Sequence, residues 1–93
     1  MEFLVRIEVQ LPDTISEQRR KELLEKEAQR GSELIEQGSL VRIWRVPGRR
    51  ANVSLYQAVD ATELHSIITT LPLWPWMDAH VEPLAVHPLE LRA

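Results

Sequence analysis

Apolar and polar residues alternate along several stretches of the chain, which is the pattern of a β-strand with one buried face. In residues 3–10, FLVRIEVQ, every second residue is apolar, so we predict a first strand there. Residues 40–46 and 51–57 also favour strands, and they flank the turn sequence Pro47-Gly48. We predict that they form the second and third strands, joined as a β-hairpin.

Two other stretches carry the spacing and the end signals of α-helices. Thr14 and Asp60 are each followed three residues later by a glutamate, the pattern of a capping box at a helix start. The first helix is predicted to run from this box through Gln37, with Gly38 as its C-terminal stop. The second helix is predicted from an apolar stripe formed by Leu64, Ile67, Ile68 and Leu71.

The segment after the second helix, residues 71–78, has the sequence LPLWPWMD. Its two prolines exclude a regular helix, so we expect Trp74 and Trp76 on an extended stretch, as an oligomer contact or a plug for the core. Residues 79–86 predict a fourth strand. Pro83 within it has no backbone N–H, which favours a position at a sheet edge or a bulge.

The predicted order is strand, helix, strand, strand, helix, strand, which is the ferredoxin-like βαββαβ arrangement of the α+β class. One four-stranded antiparallel sheet then carries both helices on one face. A chain of 93 residues is one domain, residues 1–93, with a small core. We therefore expect the other face of the sheet to pack against another subunit.

Composition and charge argue against several classes of function. The net charge is −3, which disfavours nucleic acid as a partner because phosphate binding needs a clustered positive field. No run approaches the ~20 apolar residues of a membrane span. The N-terminal sequence lacks the basic and apolar regions of a secretory signal, so we expect a cytoplasmic location. The chain has no cysteine, which excludes disulfides, thiolate metal sites and a cysteine nucleophile.

One carboxylate breaks the amphipathic pattern of the first helix. On a helical wheel at about 100° per residue, Glu27 falls inside the apolar arc, whereas most glutamates of this helix fall on the other side. The arc is formed by Leu23, Leu24, Ala28, Gly31, Leu34 and Ile35. Burial raises the pKa of a carboxyl group toward the range useful for proton transfer, so Glu27 is a candidate general base. The alternatives are an ion pair with Arg42 or Arg45, or a side chain at the helix edge.

The hairpin supplies polar groups that suit a small anion. Strand alternation places Asn52 on one face with Ser54 and Tyr56, and we expect Trp44 close to them across the hairpin. Arg50 offers a guanidinium for a carboxylate, and an asparagine amide can donate to a developing enolate oxygen. The alternative is that both arginines of the turn are solvated and that Asn52 is an ordinary polar group at a strand edge.

A metal site is not expected. The three histidines, His65, His80 and His87, have neither the helical spacing nor the neighbouring carboxylates of metal ligands. The glycines are too isolated for a phosphate loop, and the serines lack the context of a nucleophile elbow.

Together these residues resemble the muconolactone isomerase family. The resemblance runs without gaps over nearly the whole chain and rests on short motifs. These are Leu11-Pro12, Glu27, Gly38, Trp44-Arg45, Gly48, Ala51-Asn52, Leu64-His65, residues 71–78 and His87-Pro88. Their combination is much more specific than any one of them.

This resemblance implies a ferredoxin-like fold, a homo-decamer built from dimers with pockets near subunit boundaries, and no cofactor. It also implies an enzyme of aromatic catabolism, in the β-ketoadipate pathway, that converts muconolactone to 3-oxoadipate enol-lactone. The substrate is a small lactone carboxylate, and the reaction is a 1,3-proton shift. One carboxylate can serve as both base and acid in such a shift.

By the same resemblance, Glu27 matches the catalytic glutamate of the family and Asn52 a pocket amide, with Trp44 as a pocket wall. Arg50 departs from the family pattern, which has tyrosine before Ala-Asn. Arginine is larger, permanently charged and only a donor. We expect it to bind the carboxymethyl group of the substrate; alternatively it marks a different, more acidic lactone or a loss of isomerase activity.

Two other functions remain open from the sequence. The first is a related lactone enzyme that uses the same base on another substituent, for example to eliminate halide. The second is a non-catalytic oligomer that binds a small acid.

Overall fold

The structure of the chain, a computed structural model, describes residues 1–91. Its helices and strands follow the predicted order. They are β1 (Glu2–Val9), α1 (Glu17–Glu36), β2 (Leu40–Arg45), β3 (Ala51–Gln57), α2 (Ala61–Ile68) and β4 (Met77–Leu84). The last two residues of the predicted domain, 92 and 93, lie outside the described range.

The four strands form one antiparallel sheet in the order β2-β3-β1-β4. Central β1 buries Phe3, Val5 and Ile7 against the helices, as its alternation predicts. Strand β4 begins and ends two residues earlier than predicted, and it lies at an edge of the sheet, where Pro83 is tolerated. The predicted α+β fold of ferredoxin-like type is confirmed.

Helix α1 begins later than the sequence predicts. Its N-cap is Ser16, whose Oγ accepts a hydrogen bond from the amide of Arg19 at 3.1 Å, while Thr14 belongs to the preceding turn. The predicted stop at Gly38 is present. This glycine has a φ of +81°, and the amide of the following residue donates to Leu34 O in a Schellman motif.

The proline-rich segment after α2 forms a 3-10 turn at Trp74–Trp76, so the prediction of an extended stretch is wrong. Pro75 fits this turn because the first residues of a helix need no N–H donor. Trp74 packs against the core, and its ring meets the His65 ring edge-on with 5.8 Å between centroids.

The core lies between the sheet and the two helices. Its buried members are Phe3, Val5, Ile7, Leu34, Leu40, Tyr56, Ala58, Leu64, Ile68 and Leu71. Three residues of the arc predicted for α1, Leu24, Ala28 and Ile35, are instead exposed, Leu24 to 42% and Ile35 to 54%. The predicted arc is too wide because a cavity separates this part of α1 from the hairpin strands, and all three residues line it.

The second face of the sheet is uncovered over residues 1–91. Leu4, Val53 and Leu55 lie there partly exposed, and Trp44 at the edge strand is 44% exposed. This is the surface that the sequence predicts to pack against another subunit, and we call it the open face.

Candidate active site

A cleft of about 590 Å³ lies between the first half of α1 and the β2–β3 hairpin, a size typical of small-molecule sites. Its apolar walls include Val9, Leu24, Ile43 and Leu73. Its polar side chains are Arg20, Glu27, Arg45, Arg50 and Asn52. A second cavity of about 430 Å³ adjoins it and shares Glu27 and Asn52, so these two groups lie where the cavities meet.

Glu27 presents one carboxylate oxygen to the protein and one to the cleft. Oε1 accepts a hydrogen bond from the amide of Leu73 at 3.0 Å. Oε2 accepts none from residues 1–91, and within that range every buried side-chain oxygen has a hydrogen-bond partner. Oε2 is therefore accessible, and it is the oxygen that can reach a bound molecule.

The connection after α2 makes the Leu73 amide available to Glu27. The amides of Leu71 and Trp74 donate locally, to Ile68 O and Leu71 O. Between them, Pro72 has no N–H, and Leu73 N points to α1. The turn thus supplies one backbone donor that holds the carboxylate in place.

Burial raises the pKa of Glu27 above its ordinary value, and the hydrogen bond from Leu73 opposes this effect in part. The pKa of Tyr56 is raised to about 12, mainly by burial and also by the charge of Glu27, with Arg30 acting in the opposite direction. Tyr56 is therefore a neutral phenol at pH 7. Glu27 is the group at this site whose pKa shifts toward neutrality.

The hairpin register places Asn52 on the same side of the sheet as Glu27. Asn52 pairs with Ile7 of β1, whose side chain is in the core, so the face with Asn52, Ser54 and Tyr56 is the helix face. Ser54 is 1% exposed, and its Oγ donates to Asn52 Oδ1 at 3.1 Å. This contact leaves the Asn52 NH₂ group as a donor toward the cleft.

Three arginines reach the cleft from three parts of the fold. Arg20 lies in the second turn of α1, Arg45 ends β2 opposite Asn52, and Arg50 precedes β3. None of them forms an ion pair within residues 1–91. The adjacent Arg49 does not line the cleft, and its Nη1 lies 3.9 Å from Glu8 Oε1.

Trp44 borders the cleft only at its rim. It pairs with Val53, so its indole extends from the open face, and the guanidinium carbon of Arg42 lies 5.1 Å from its ring centroid. The expected closeness of Trp44 to Asn52 is not observed, because the register puts the two side chains on opposite faces.

The histidines lie away from the cleft. His65 packs on Trp74, His80 Nε2 lies 3.6 Å from Asp78, and His87 Nδ1 accepts from the amide of Leu89. Across residues 1–91, histidine and carboxylate side chains nowhere gather in a group of three suited to a metal ion. Neither α1 nor α2 is long and apolar enough to cross a bilayer.

Sequence reasoning missed two contributors to the site and the roles of two others. The alternation of β3 pointed to Ser54, because it puts this residue beside Asn52, but not to its hydrogen bond. Arg45 was considered only as an ion-pair partner of Glu27, a pair that is not formed within residues 1–91, and Arg20 gave no pattern of its own. The Leu73 amide is a backbone group, so nothing in the residue types could have indicated it.

Comparisons with known proteins show which family this chain resembles. Residues 1–90 match the family model described as muconolactone delta-isomerase. The chain is 35% identical over 92 residues to the muconolactone delta-isomerase of Cupriavidus pinatubonensis, covering 99% of this chain and 100% of that one. It is 34% identical over 90 residues to the enzyme of that name from Rhodococcus opacus, covering 97% of each chain.

A solved structure gives the same result for the fold. A crystal structure of muconolactone isomerase superposes with a TM-score of 0.92 at 30% identity, covering 100% of this chain and 97% of that chain. The sequence matches and the shared fold together cover the elements that build the cleft. The chain belongs to the muconolactone delta-isomerase family.

Proposed function

We propose that this protein is a cofactor-free isomerase that converts muconolactone to 3-oxoadipate enol-lactone in aromatic catabolism. The observation that carries the proposal is the Glu27 carboxylate, fixed through Oε1 by the Leu73 amide and open to a small-molecule cleft through Oε2. Membership of the family supports the reaction, and the site supplies a group suited to it.

Glu27 acts first as a base and then as an acid. Oε2 takes the proton from ring carbon C4. The electrons of the broken C–H bond form a double bond between C4 and the next ring carbon, and the electrons of the original double bond move toward the carbonyl group. The resulting dienolate carries its charge on the carbonyl oxygen of the lactone. The protonated Glu27 then returns the proton to the carbon next to the carbonyl, which restores the carboxylate without any other reactant.

Asn52 stabilises the dienolate. Ser54 occupies its Oδ1, so the NH₂ group is oriented to donate toward the cleft that Glu27 also faces. A donor placed where negative charge develops lowers the barrier more than it strengthens substrate binding. Since Asn52 belongs to the sheet and Glu27 to the helix above it, the lactone is held between the two layers.

Arg50 binds the carboxymethyl group of the substrate. It lines the cleft together with Asn52, and its carbonyl oxygen accepts a hydrogen bond from Val9 N at 3.2 Å, which ties its backbone to β1. A guanidinium can hold a carboxylate through two parallel hydrogen bonds. Trp44 also belongs to the lining of the cleft, as part of its wall.

We further propose that residues 1–93 act as one domain and that the domain assembles as a homo-oligomer through its open face, in dimers that build a decamer. The partly exposed Leu4, Val53 and Leu55 support this proposal. Leu55→Glu is expected to reduce the mass measured by light scattering, whereas Thr62→Glu on exposed α2 is not. An unchanged mass for Leu55→Glu would remove the open face from the assembly. A cytoplasmic location is part of the proposal and is tested by cell fractionation.

The reaction is tested with purified protein and muconolactone in the presence of a metal chelator. Ultraviolet absorbance follows the conversion, and proton NMR in deuterated water identifies the product. We expect conversion to the enol-lactone. Deuterium is incorporated at the carbon next to the carbonyl in those turnovers in which protonated Glu27 exchanges with solvent before it returns the proton. A folded protein that binds muconolactone without converting it would contradict the proposal and favour a binding function.

A further inference from the structure

The cleft holds more positive charge than one carboxylate requires. Arg20, Arg45 and Arg50 bring three positive charges to its lining, and Glu27 is its single acidic side chain. The chain as a whole has a formal charge of −3, so this balance is a local property of the cleft. A cavity lined by one sign of charge raises the local concentration of the opposite ion.

The three guanidinium groups of the cleft have no carboxylate partners among residues 1–91. They approach from α1, from the end of β2 and from the hairpin turn, and within the described residues none has a carboxylate within ion-pair distance. The neighbouring Arg49 differs, because Glu8 lies 3.9 Å from it. Like charges gathered around a cleft repel each other, and an anionic ligand bound between them reduces this repulsion.

Two of these arginines belong to the hairpin and the third belongs to α1. Arg50 lies on the hairpin side, two residues before Asn52. Arg45 faces Asn52 across the β2–β3 ladder, and Arg20 lies across the cleft on α1, seven residues before Glu27. With Glu27 counted as a carboxylate, a single carboxymethyl group bound to Arg50 leaves one positive charge of the lining unbalanced, and a second carboxylate on the ligand would balance it.

We propose that the cleft binds a butenolide carrying two carboxylate groups, with Arg50 holding one and Arg20 together with Arg45 holding the other. The inference rests on the proposed function, because it keeps the same lactone ring and the same proton shift. The second carboxylate is a substituent that takes no part in the bond changes. It sets the specificity of the cleft for a dianion over a monoanion.

Two unreactive lactones with the same saturated ring test this inference. The lactone of 2-hydroxyglutarate carries one carboxylate, and the lactone of isocitrate carries two. Calorimetric titration of the wild-type protein is expected to show about tenfold tighter binding of the dicarboxylate, the effect of one additional charge-assisted contact. In Arg20→Gln and in Arg45→Gln this preference is expected to fall toward equality, with binding of the monocarboxylate retained.

Arg19→Gln is the matched control, since Arg19 is an exposed arginine next to Arg20 that does not line the cleft. It is expected to keep the full preference. Equal affinity of the two lactones for the wild type, or no binding of the dicarboxylate, overturns the inference. A preference that survives in both Arg20→Gln and Arg45→Gln also overturns it.

Turnover of muconolactone by the same preparations separates this inference from the proposed function. If muconolactone is turned over and the two lactones bind equally, the proposal of a second carboxylate is refuted and the proposed isomerase reaction stands. A dicarboxylate preference that depends on Arg20 and Arg45, without turnover of muconolactone, supports the dianion site and removes the proposed reaction on that substrate.

Discussion

The backbone amide of Leu73 donates a hydrogen bond to Glu27 Oε1 at 3.0 Å, joining the connection after α2 to the middle of α1. This contact explains how a carboxylate is kept on the inner side of a helix. Burial disfavours its charged form, and the amide restores part of the lost stabilisation. The balance leaves a fixed carboxylate that is a stronger base than an exposed one.

The activity is expected to rise with pH through the raised pKa of Glu27. The reaction needs the deprotonated carboxylate, so kcat/KM is low below this pKa and reaches a plateau above it. The profile is measured with muconolactone, whose own carboxylate is ionised throughout the neutral range. A midpoint at or below the ordinary pKa of a glutamate would show that Glu27 is not the essential base.

Removing the Leu73 amide is expected to move this midpoint to higher pH. Leu73→Pro deletes the N–H that stabilises the charged form of Glu27, and the Leu73 φ of −84° is close to the value that proline requires. Leu73→Ala is the control, because it loses the same buried side chain and keeps the N–H. Equal midpoints for the two variants would mean that the hydrogen bond does not tune Glu27.

Asn52→Ala is expected to lower kcat by about a hundredfold with little change in KM, the effect of losing one oxyanion donor. Ser54→Ala is expected to lower kcat less, because the amide stays but loses the contact that orients it. Gln57→Ala removes an exposed amide at the end of the same strand and serves as the control. An increase in KM alone for Asn52→Ala would assign that residue to substrate binding.

Alanine is expected to have opposite effects at two glycines of the α1 region. Gly31 lies within α1, where an added methyl group meets open space, so Gly31→Ala raises the free energy of unfolding by about 0.5–1 kcal/mol. Gly38 has a φ of +81°, so Gly38→Ala lowers the free energy of unfolding by about 1 kcal/mol. Urea denaturation measures both. A change of the free energy of unfolding in the same direction for both variants would contradict the end of α1 at Gly38.

Much of this fold could be predicted because its signals are local. The alternation in residues 3–10 and the glycine at position 38 locate β1 and the end of α1. The errors arose where local signals competed or tertiary packing decided. Ser16 replaces Thr14 as the cap of α1, and Trp74–Trp76 curl into a 3-10 turn that brings Trp74 onto the core.

The site was predictable in part. Glu27 stood out because a charge on an apolar helix face is unusual, and the family predicted from the motifs is confirmed by the match over residues 1–90. Strand alternation grouped Asn52 with Ser54, but it could not show which face met α1. The position of Trp44 depends on the hairpin register, which includes an irregularity between Leu40 and Arg42, and the sequence does not encode that in any recognisable pattern.

The central claim is that Glu27 carries the proton, and its most direct test is kcat/KM for muconolactone in the wild type and in Glu27→Gln. The control is Glu25→Gln, an exposed glutamate on the same helix that does not line the cleft. We expect Glu27→Gln to lose about 10²–10⁴-fold in kcat/KM while Glu25→Gln retains wild-type activity, with both variants folded by circular dichroism. Wild-type activity in Glu27→Gln would contradict the account.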